Sequence, residues 1–231
     1  MTLFTAFGPD IWLCDGPVVD GAMGFHFPTR MVVIRLASGG LFIWSPVALS
    51  EDLKVELRAI GPVGHVVAPN TLHHVFLAFW QQTYPDARYH AAPGLRAKRP
   101  DLRIDEDLGP APPAAWAGQI DQVIFTDNAL ATEVVFFHRA SGTAIFTDLL
   151  QQMPRTWFRG WRGLVARLDL MTGDRPEVPR KFRLAFRDRA AARAALGAVL
   201  RWPVERLVFA HGRPIAVGGR DAIADAFRWL G

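Results

Sequence analysis

The stretch Val66-Val67-Ala68-Pro69-Asn70-Thr71-Leu72-His73-His74-Val75-Phe76 decides the fold. It reads as a short apolar strand, a polar turn and the start of a helix, which we predict to run from about Leu72 to Thr83. A strand-to-helix turn is where an α/β protein usually exposes its chemistry. Two adjacent histidines lie in this turn, and imidazole is the commonest metal ligand in proteins. The stretch therefore predicts an α/β fold with a metal site at the end of a strand.

The segments around this stretch predict alternating strands and helices. Residues 31–36 and 41–45 form a β-hairpin around Ser38-Gly39-Gly40. A helix capped by Ser50 is expected to end at about Ile60, and a short strand at residues 88–91. This alternation favours helices packed against a sheet.

The second half of the chain predicts a further sheet. From about Ile120, successive apolar segments separated by turns indicate an antiparallel or mixed arrangement. The expected strands are 122–125, 132–138, 143–147 and 206–210, and the expected helices are 189–201 and 221–230. Residues 25–30 read as a loop, residues 94–118 as irregular, and residues 151–180 match no regular pattern.

Composition limits the class of protein. The chain has 231 residues, of which 50% are hydrophobic, so it can form a substantial core. Its only cysteine, Cys14, excludes intrachain disulfides and thiolate metal clusters. No apolar run approaches the ~20 residues of a membrane span, and the N-terminus lacks the pattern of a secretory signal. We therefore expect a cytoplasmic protein without nucleic-acid or membrane partners; the sequence does not specify its oligomeric state.

The arginines concentrate in the second half of the chain, in residues 155–193. The formal net charge is only +4, and no nucleic-acid motif accompanies these arginines. A solvated surface is therefore favoured over an anion-binding face.

Three predicted strands each lead to a potential metal ligand. Residues 66–68 lead to His73 and His74, residues 144–147 to Asp148, and residues 207–210 to His211. Strand ends at one sheet edge converge in space, so these groups could meet. Imidazole and carboxylate suit zinc, iron or manganese better than calcium or magnesium. Taken singly, such a histidine is more often a hydrogen-bonded structural residue, and such an aspartate is more often a helix cap or turn former.

In these features the chain resembles the metallo-β-lactamase-fold superfamily, whose members include hydrolases of many esters and amides. The resemblance extends from Ile11 to Leu230. In residues 27–30 and in Pro69-Asn70 with the histidine pair, it is closest to a branch known only as a domain of unknown function. The resemblance implies a single domain over residues 1–231 of the α/β class (α+β in some schemes). This would be a four-layer αββα sandwich with two mixed β-sheets and helices on the outer faces.

The family motif His-x-His-x-Asp-His is degenerate here. When the motif is aligned on its final histidine, His74 takes that place and His73 replaces the aspartate. Pro69 and Thr71 then stand where the two leading histidines belong, and residues 128–133 lack the later histidine. The resemblance thus implies loss of the first metal site and survival of the second. Its ligands would be His73, His74, Asp148 and His211, holding at most one ion, which would be zinc or else iron or manganese; a metal-free pocket is the alternative.

The function implied is a metal-dependent hydrolase acting on an unknown small-molecule ester, lactone, thioester or amide, with no catalytic residue assigned. The alternative is a catalytically inactive relative that serves as a small-molecule-binding or scaffold module. Arg30 could bind an anionic substrate or form a surface salt bridge. Asn70 and Thr71 could hydrogen-bond His73, although helix capping is favoured. Glu133 could support a ligand or act in acid–base chemistry, although an exposed position is favoured.

Overall fold

Seven strands form the first β-sheet of this computed structural model, which describes residues 2–231. The strands are β1 (Thr5–Gly8), β2 (Ile11–Asp20), β3 (His26–Arg35), β4 (Leu41–Trp44), β5 (Val63–Ala68), β6 (Arg88–Ala91) and β7 (Glu106–Asp107). They lie side by side in chain order. The pairings from β1 to β4 are antiparallel, and those from β4 to β7 are parallel. The sheet is therefore mixed, as predicted.

Four strands form the second sheet, in the spatial order β11-β10-β9-β8. They are β8 (Ile120–Phe125), β9 (Glu133–His138), β10 (Thr143–Gln152) and β11 (Arg206–Gly212). The β10–β11 pair is parallel and the other two pairs are antiparallel, so this sheet is also mixed.

The core between the two sheets comes from the alternation of side chains along each strand. Phe42 and Trp44 of β4 face inward, where they join Phe136, Ile145 and Val208 of the second sheet in one buried cluster. The rings of Phe42 and Phe136 lie 5.6 Å apart, edge to face. This contact holds the sheets together through aromatic area that is removed from water.

Helices cover the outer faces. They are α1 (Glu51–Ile60), α2 (Leu77–Thr83), α3 (Leu95–Lys98), α4 (Gly160–Leu168), α5 (Arg180–Ala185), α6 (Arg189–Leu200) and α7 (Gly219–Phe227). The first three contribute to the core outside the first sheet, and α5, α6 and α7 to the core outside the second. The predicted αββα sandwich is confirmed. Among residues 2–231, no helix combines the length and apolar character needed to cross a membrane.

Local signals explain the helices that the sequence predicted. The Ser50 hydroxyl accepts a hydrogen bond from the Leu53 amide at 3.1 Å, which caps α1, and Leu53 and Leu57 are buried. Asp188 caps α6 in the same way, accepting from the amides of Ala190 and Ala191. The sequence had identified only the Ser50 cap; α6 was predicted from its apolar spacing alone.

The predicted loop at residues 25–30 is instead the first half of β3, which begins at His26 and continues into the hairpin. Proline in a strand usually argues against strand structure, because it lacks an N–H donor. Here the pairing skips from Gly16↔Thr29 to Val19↔Phe27, so Pro28 lies opposite a bulge in β2. The missing donor is tolerated because the ladder is already interrupted at that point.

The helix predicted from Leu72 begins only at Leu77. The Asn70 side-chain oxygen accepts hydrogen bonds from the amides of Leu72 and His73, both at 2.9 Å. This local bonding stabilises a turn over residues 70–76 in competition with a helix. The two stretches without predicted structure also contain regular elements: α3 and β7 lie in 94–118, and α4 lies in 151–180.

Candidate metal centre

Three of the predicted ligands, His73, Asp148 and His211, come together between the two sheets. One ligand atom from each lies within 4.8 Å of the others. The Nε2 atom of His211 is 3.1 Å from Asp148 Oδ1, and the Nε2 atom of His73 is 3.3 Å from Asp148 Oδ2. Zinc binds nitrogen and oxygen ligands at about 2.1 Å, so neighbouring ligands of a tetrahedral ion lie about 3.4 Å apart. The spacing and chemistry of the three groups fit one such ion.

Asp148 reaches the centre because β10 is irregular at this point. Its pairing with β11 is regular up to Phe146↔Phe209 and resumes only at Gln151↔His211, so extra residues of β10 form a bulge. The prediction placed both Asp148 and His211 just after strand ends. They lie instead inside strands that run to Gln152 and Gly212.

Glu133 holds this bulge in place. Its carboxylate accepts hydrogen bonds from the backbone amides of Thr147 at 2.7 Å, Asp148 at 2.8 Å and Leu149 at 3.1 Å. The favoured expectation of an exposed Glu133 was wrong, because this side chain is fully buried. Three amide donors that leave the regular ladder need an acceptor in the interior, and a carboxylate can serve all three.

Burial, and after it the negative charge of Asp148, raise the pKa of Glu133 to about 7. The amide hydrogen bonds oppose this shift because they favour the charged form. Glu133 is therefore a carboxyl group that changes charge near neutral pH, directly behind the backbone of Asp148.

The tautomer of His211 is fixed by its surroundings. Its Nδ1 atom is 2.7 Å from the carbonyl oxygen of Pro28, which can only accept, so Nδ1 carries the proton. The Nε2 atom therefore faces the Asp148 carboxylate either as part of an imidazolium or as a ligand of a cation. A histidine that donates one ring N–H to a carbonyl and presents the other nitrogen is the usual arrangement at a metal.

His73 is oriented in a similar way. Its Nδ1 atom is 2.7 Å from the hydroxyl of Ser45, and its Nε2 atom points at Asp148. Ser45 lies in the Trp44-Ser45-Pro46 segment that follows β4. The sequence did not identify Ser45 as a partner of the site, because nothing local to either residue links positions 45 and 73.

Asp148 remains ionised in this environment. Burial alone would raise its pKa, but the positive charge and hydrogen bonding of His73 and His211 outweigh burial and hold the pKa well below its usual value. The side-chain amide of Asn70 also donates to Asp148 Oδ2 at 2.7 Å. A buried carboxylate that stays charged is a suitable partner for a cation.

Asn70 links the two halves of the centre. It is fully buried, and besides donating to Asp148 it caps the turn that carries His73. The favoured expectation of helix capping was wrong for Asn70, because α2 begins only at Leu77; Asn70 instead accepts from the His73 amide, which was the other alternative. Thr71 lies outside the cleft beside the centre, and its carbonyl oxygen accepts from the Lys98 ammonium at 2.7 Å.

His74, the fourth predicted ligand, faces away from the other three. Its Nδ1 atom accepts a hydrogen bond from the Arg99 guanidinium at 2.8 Å, and it is not a member of the ligand group. Partial burial, together with the nearby charges of Lys98 and Arg99, lowers its pKa. The turn at residues 70–76 therefore directs adjacent histidines to different partners.

Arg30 supports the strand that carries His211. Its guanidinium donates to the carbonyl oxygens of Phe209, at 2.9 Å, and Gly212, and to the Asp15 carboxylate at 2.8 Å. The side chain is only 10% exposed. These bonds occupy Arg30 and leave the predicted role in binding an anionic substrate without support. The predicted salt bridge exists, with Asp15, although Arg30 itself is buried.

A cleft of about 330 Å³ opens over the centre. Its walls are mainly apolar: Val19, Ala22, Phe27, Pro46, Leu72, Val75, Phe76 and Phe182. His73, Asp148 and His211 form part of its lining, as does Gln151. The Gln151 Oε1 atom is buried and has no hydrogen-bond partner among the described residues, although its amide nitrogen donates to the Asp148 carbonyl at 3.3 Å. The cleft therefore combines an apolar wall with a few convergent polar groups, as ligand sites usually do.

Comparison with known proteins gives a family and a fold. The model of the family described as Domain of unknown function (DUF4336) matches residues 10–159. No curated protein matches.

Similar solved structures include the metallo-β-lactamase FIM-1 from Pseudomonas aeruginosa in its mono-zinc form, with 13% identity, 98% of this chain and 93% of that chain covered, and a TM-score of 0.64. A metallo-β-lactamase from Pontibacter korlensis has 13% identity, coverage of 98% and 97%, and a TM-score of 0.64. Another, from Hirschia baltica, has 10% identity, coverage of 98% and 96%, and a TM-score of 0.62. At such low identity the likeness concerns the fold.

Proposed function

Since this chain belongs to the family described as Domain of unknown function (DUF4336) and has the metallo-β-lactamase fold, we propose that it is a hydrolase dependent on a single metal ion. The ligands would be His73, Asp148 and His211, and zinc is the first candidate ion. The substrate would be an ester, lactone, thioester or amide with an apolar arm, which the walls of the cleft can contact.

One observation supports this proposal above the others. The carbonyl of Pro28 forces the Nδ1 proton of His211 outward from the centre, so its Nε2 atom faces a charged carboxylate. Two imidazole nitrogens directed at one buried carboxylate form a donor set that suits a cation, and the supporting hydrogen bonds fix both rings.

Three protein ligands leave a fourth position free at a tetrahedral ion, which is the arrangement of catalytic rather than structural zinc sites. When bound, such an ion supplies Lewis acidity, which polarises a substrate carbonyl and lowers the pKa of water. The chain itself would orient the reactants. Asn70 and Glu133 hold Asp148, and Gln151 lines the cleft beside it.

Metal titration of the purified protein tests the proposal. After treatment with a chelator, calorimetry with zinc should give one site per chain. His73→Ala, Asp148→Ala and His211→Ala should each lose at least about tenfold in affinity, because each removes one direct ligand. His74→Ala is the matched control and should bind as the wild type does, since its ring contacts Arg99.

Hydrolytic activity should require the bound metal ion. A panel of aryl esters, thioesters and lactones with short and medium acyl chains should be hydrolysed by the zinc-loaded protein and not by Asp148→Ala. Stoichiometric zinc binding without turnover of any substrate in the panel would rule out the hydrolase function. Absence of zinc, iron and manganese binding altogether would favour the inactive binding or scaffold module instead.

A further inference from the structure

Helix α4 turns its small residues toward the protein and its large apolar residues toward solvent, the reverse of an ordinary surface helix. Its buried residues are the small ones, Gly163 and Ala166. A Cβ added to Gly163 would lie 2.8 Å from the carbonyl oxygen of Phe158, so the helix packs closely against the segment that leads into it. The large apolar residues point outward, with exposures of 49% for Trp161, 61% for Leu164, 41% for Val165 and 56% for Leu168.

These four residues form a continuous stripe. Positions i, i+3, i+4 and i+7 lie on one face of an α-helix, and residues 161, 164, 165 and 168 have this spacing. Single exposed hydrophobic residues are normal on a protein surface. A whole helix face of them, turned away from the core, marks an interaction surface.

Arginines flank the stripe on both sides. At about 100° per residue, Arg162 and Arg167 fall on opposite borders of the apolar face, and Arg159 precedes the helix. No carboxylate of residues 2–231 forms an ion pair with any of these three. Arg162 lies over the Trp161 ring, 4.7 Å from its centroid, and thereby borders the aromatic part of the stripe.

The stripe is next to the mouth of the cleft. Arg162 donates a hydrogen bond at 2.8 Å to the carbonyl oxygen of Met23, whose side chain is 74% exposed. Met23 follows directly on Gly21 and Ala22, which line the cleft. The apolar surface therefore continues from α4 across Met23 to the entrance of the site.

We propose that α4 docks this chain on the surface of a lipid bilayer that contains anionic lipids. The apolar stripe would enter the boundary between headgroups and acyl chains, and Arg159, Arg162 and Arg167 would contact the anionic headgroups. A second copy of the chain fits less well, because a two-fold interface through α4 would oppose the same arginines to one another. The expectation of no membrane partner was based on the absence of a spanning segment and of a secretory signal, and binding at the surface requires neither. The inference does not depend on a metal ion.

Co-sedimentation with vesicles tests the proposal. The full chain should bind vesicles of phosphatidylcholine mixed with phosphatidylglycerol, and bind those of phosphatidylcholine alone far more weakly. Leu164→Gln and Leu168→Gln should each weaken binding by on the order of tenfold, since each removes a leucine from the apolar phase. Arg159→Gln and Arg167→Gln should each lower the affinity for the anionic vesicles about fivefold. Added salt should weaken binding of the wild type as well.

Val55→Gln is the matched control, because Val55 is 56% exposed on α1, a different helix. Its binding and melting temperature should equal those of the wild type. Light scattering without lipid should show that the α4 variants and the wild type have the same molecular mass. Three results would overturn the proposal: no binding to the anionic vesicles, equal loss in Val55→Gln, or a dimer that Leu164→Gln converts to a monomer.

Discussion

At the scale of single residues, the centre depends on two buried carboxyl groups with opposite behaviour. Asp148 is held ionised by two imidazoles, whereas burial and the charge of Asp148 keep Glu133 near the point of protonation. The two groups share one segment of backbone, since Glu133 accepts from the Asp148 amide. The charge on Glu133 therefore acts on Asp148 in two ways, by direct electrostatic repulsion and through the hydrogen bond to the Asp148 amide.

Glu133→Gln should change how stability depends on pH. The folded-state pKa of about 7 exceeds the ordinary value of 4.5, so folding favours the protonated form. The protonated Glu133 side chain contributes its whole stabilisation of the fold below about pH 4.5, and this contribution is lost as the pH rises through 7. As the pH rises from about 5 to 8, the free energy of unfolding of the metal-free Gln variant should therefore increase by on the order of 2 kcal/mol relative to that of the wild type.

Urea denaturation of both proteins in the presence of a chelator measures this difference. The Gln side chain also loses acceptor capacity, but that loss adds a constant offset rather than a pH dependence. Parallel stability curves for the two proteins across this range would contradict a raised pKa at Glu133.

At the scale of elements, the decisive features are two interruptions of regular structure. The turn between β5 and α2 replaces one helical turn, and the bulge in β10 replaces regular pairing with β11. Each is fixed by a buried polar side chain, Asn70 in the turn and Glu133 at the bulge. Two of the three candidate ligands lie in these interruptions, His73 in the turn and Asp148 in the bulge.

Asn70→Ala should destabilise the protein by about 2–3 kcal/mol, because the amides of Leu72 and His73 lose their acceptor and Asp148 Oδ2 loses a buried donor. Zinc affinity should fall by about ten- to a hundredfold, the usual effect of losing a group that orients a ligand. Thr71→Ala is the neighbouring control and should stay within about 0.5 kcal/mol of the wild type. Equal effects of the two changes in denaturation and titration would show that Asn70 has no special role.

At the scale of the whole molecule, the candidate metal centre joins the two sheets. His73 follows β5 of the first sheet, and Asp148 and His211 belong to β10 and β11 of the second. Arg30 of β3 also connects the sheets at this edge, because it donates to carbonyl oxygens of β11. A ligand that bridges two layers stabilises the folded state over the unfolded chain, in which these groups are far apart.

Zinc should therefore raise the melting temperature of the wild type. At a free concentration of about a hundred times the dissociation constant, the gain of about 2.7 kcal/mol corresponds to roughly 5–10 °C for a chain of this size. Differential scanning fluorimetry with and without a chelator measures the shift. His74→Ala should show the same shift and His211→Ala at most about half of it. A shift of undiminished size in His211→Ala would mean that zinc binds elsewhere.

The sequence by itself determined the layered fold. The hairpin at residues 31–45, the capped helices α1 and α6 and the two groups of strands depend on periodicity and turn residues within short windows. These signals are local, because hydrogen bonding and side-chain spacing within about ten residues decide them. Where a side chain competed with the backbone, as at Asn70, or a bulge tolerated a proline, as at Pro28, the local pattern was misleading.

Only the tertiary structure decided the centre. No local pattern shows that His73 rather than His74 faces the centre, that Glu133 is buried, or that Arg30 contacts the end of β11. The same holds for α4, which lies in a stretch for which the sequence predicted no regular structure and whose covered face is set by packing. Each of these facts depends on contacts between residues far apart in the chain. Such contacts are set by how the layers pack, and packing is a property of the complete molecule.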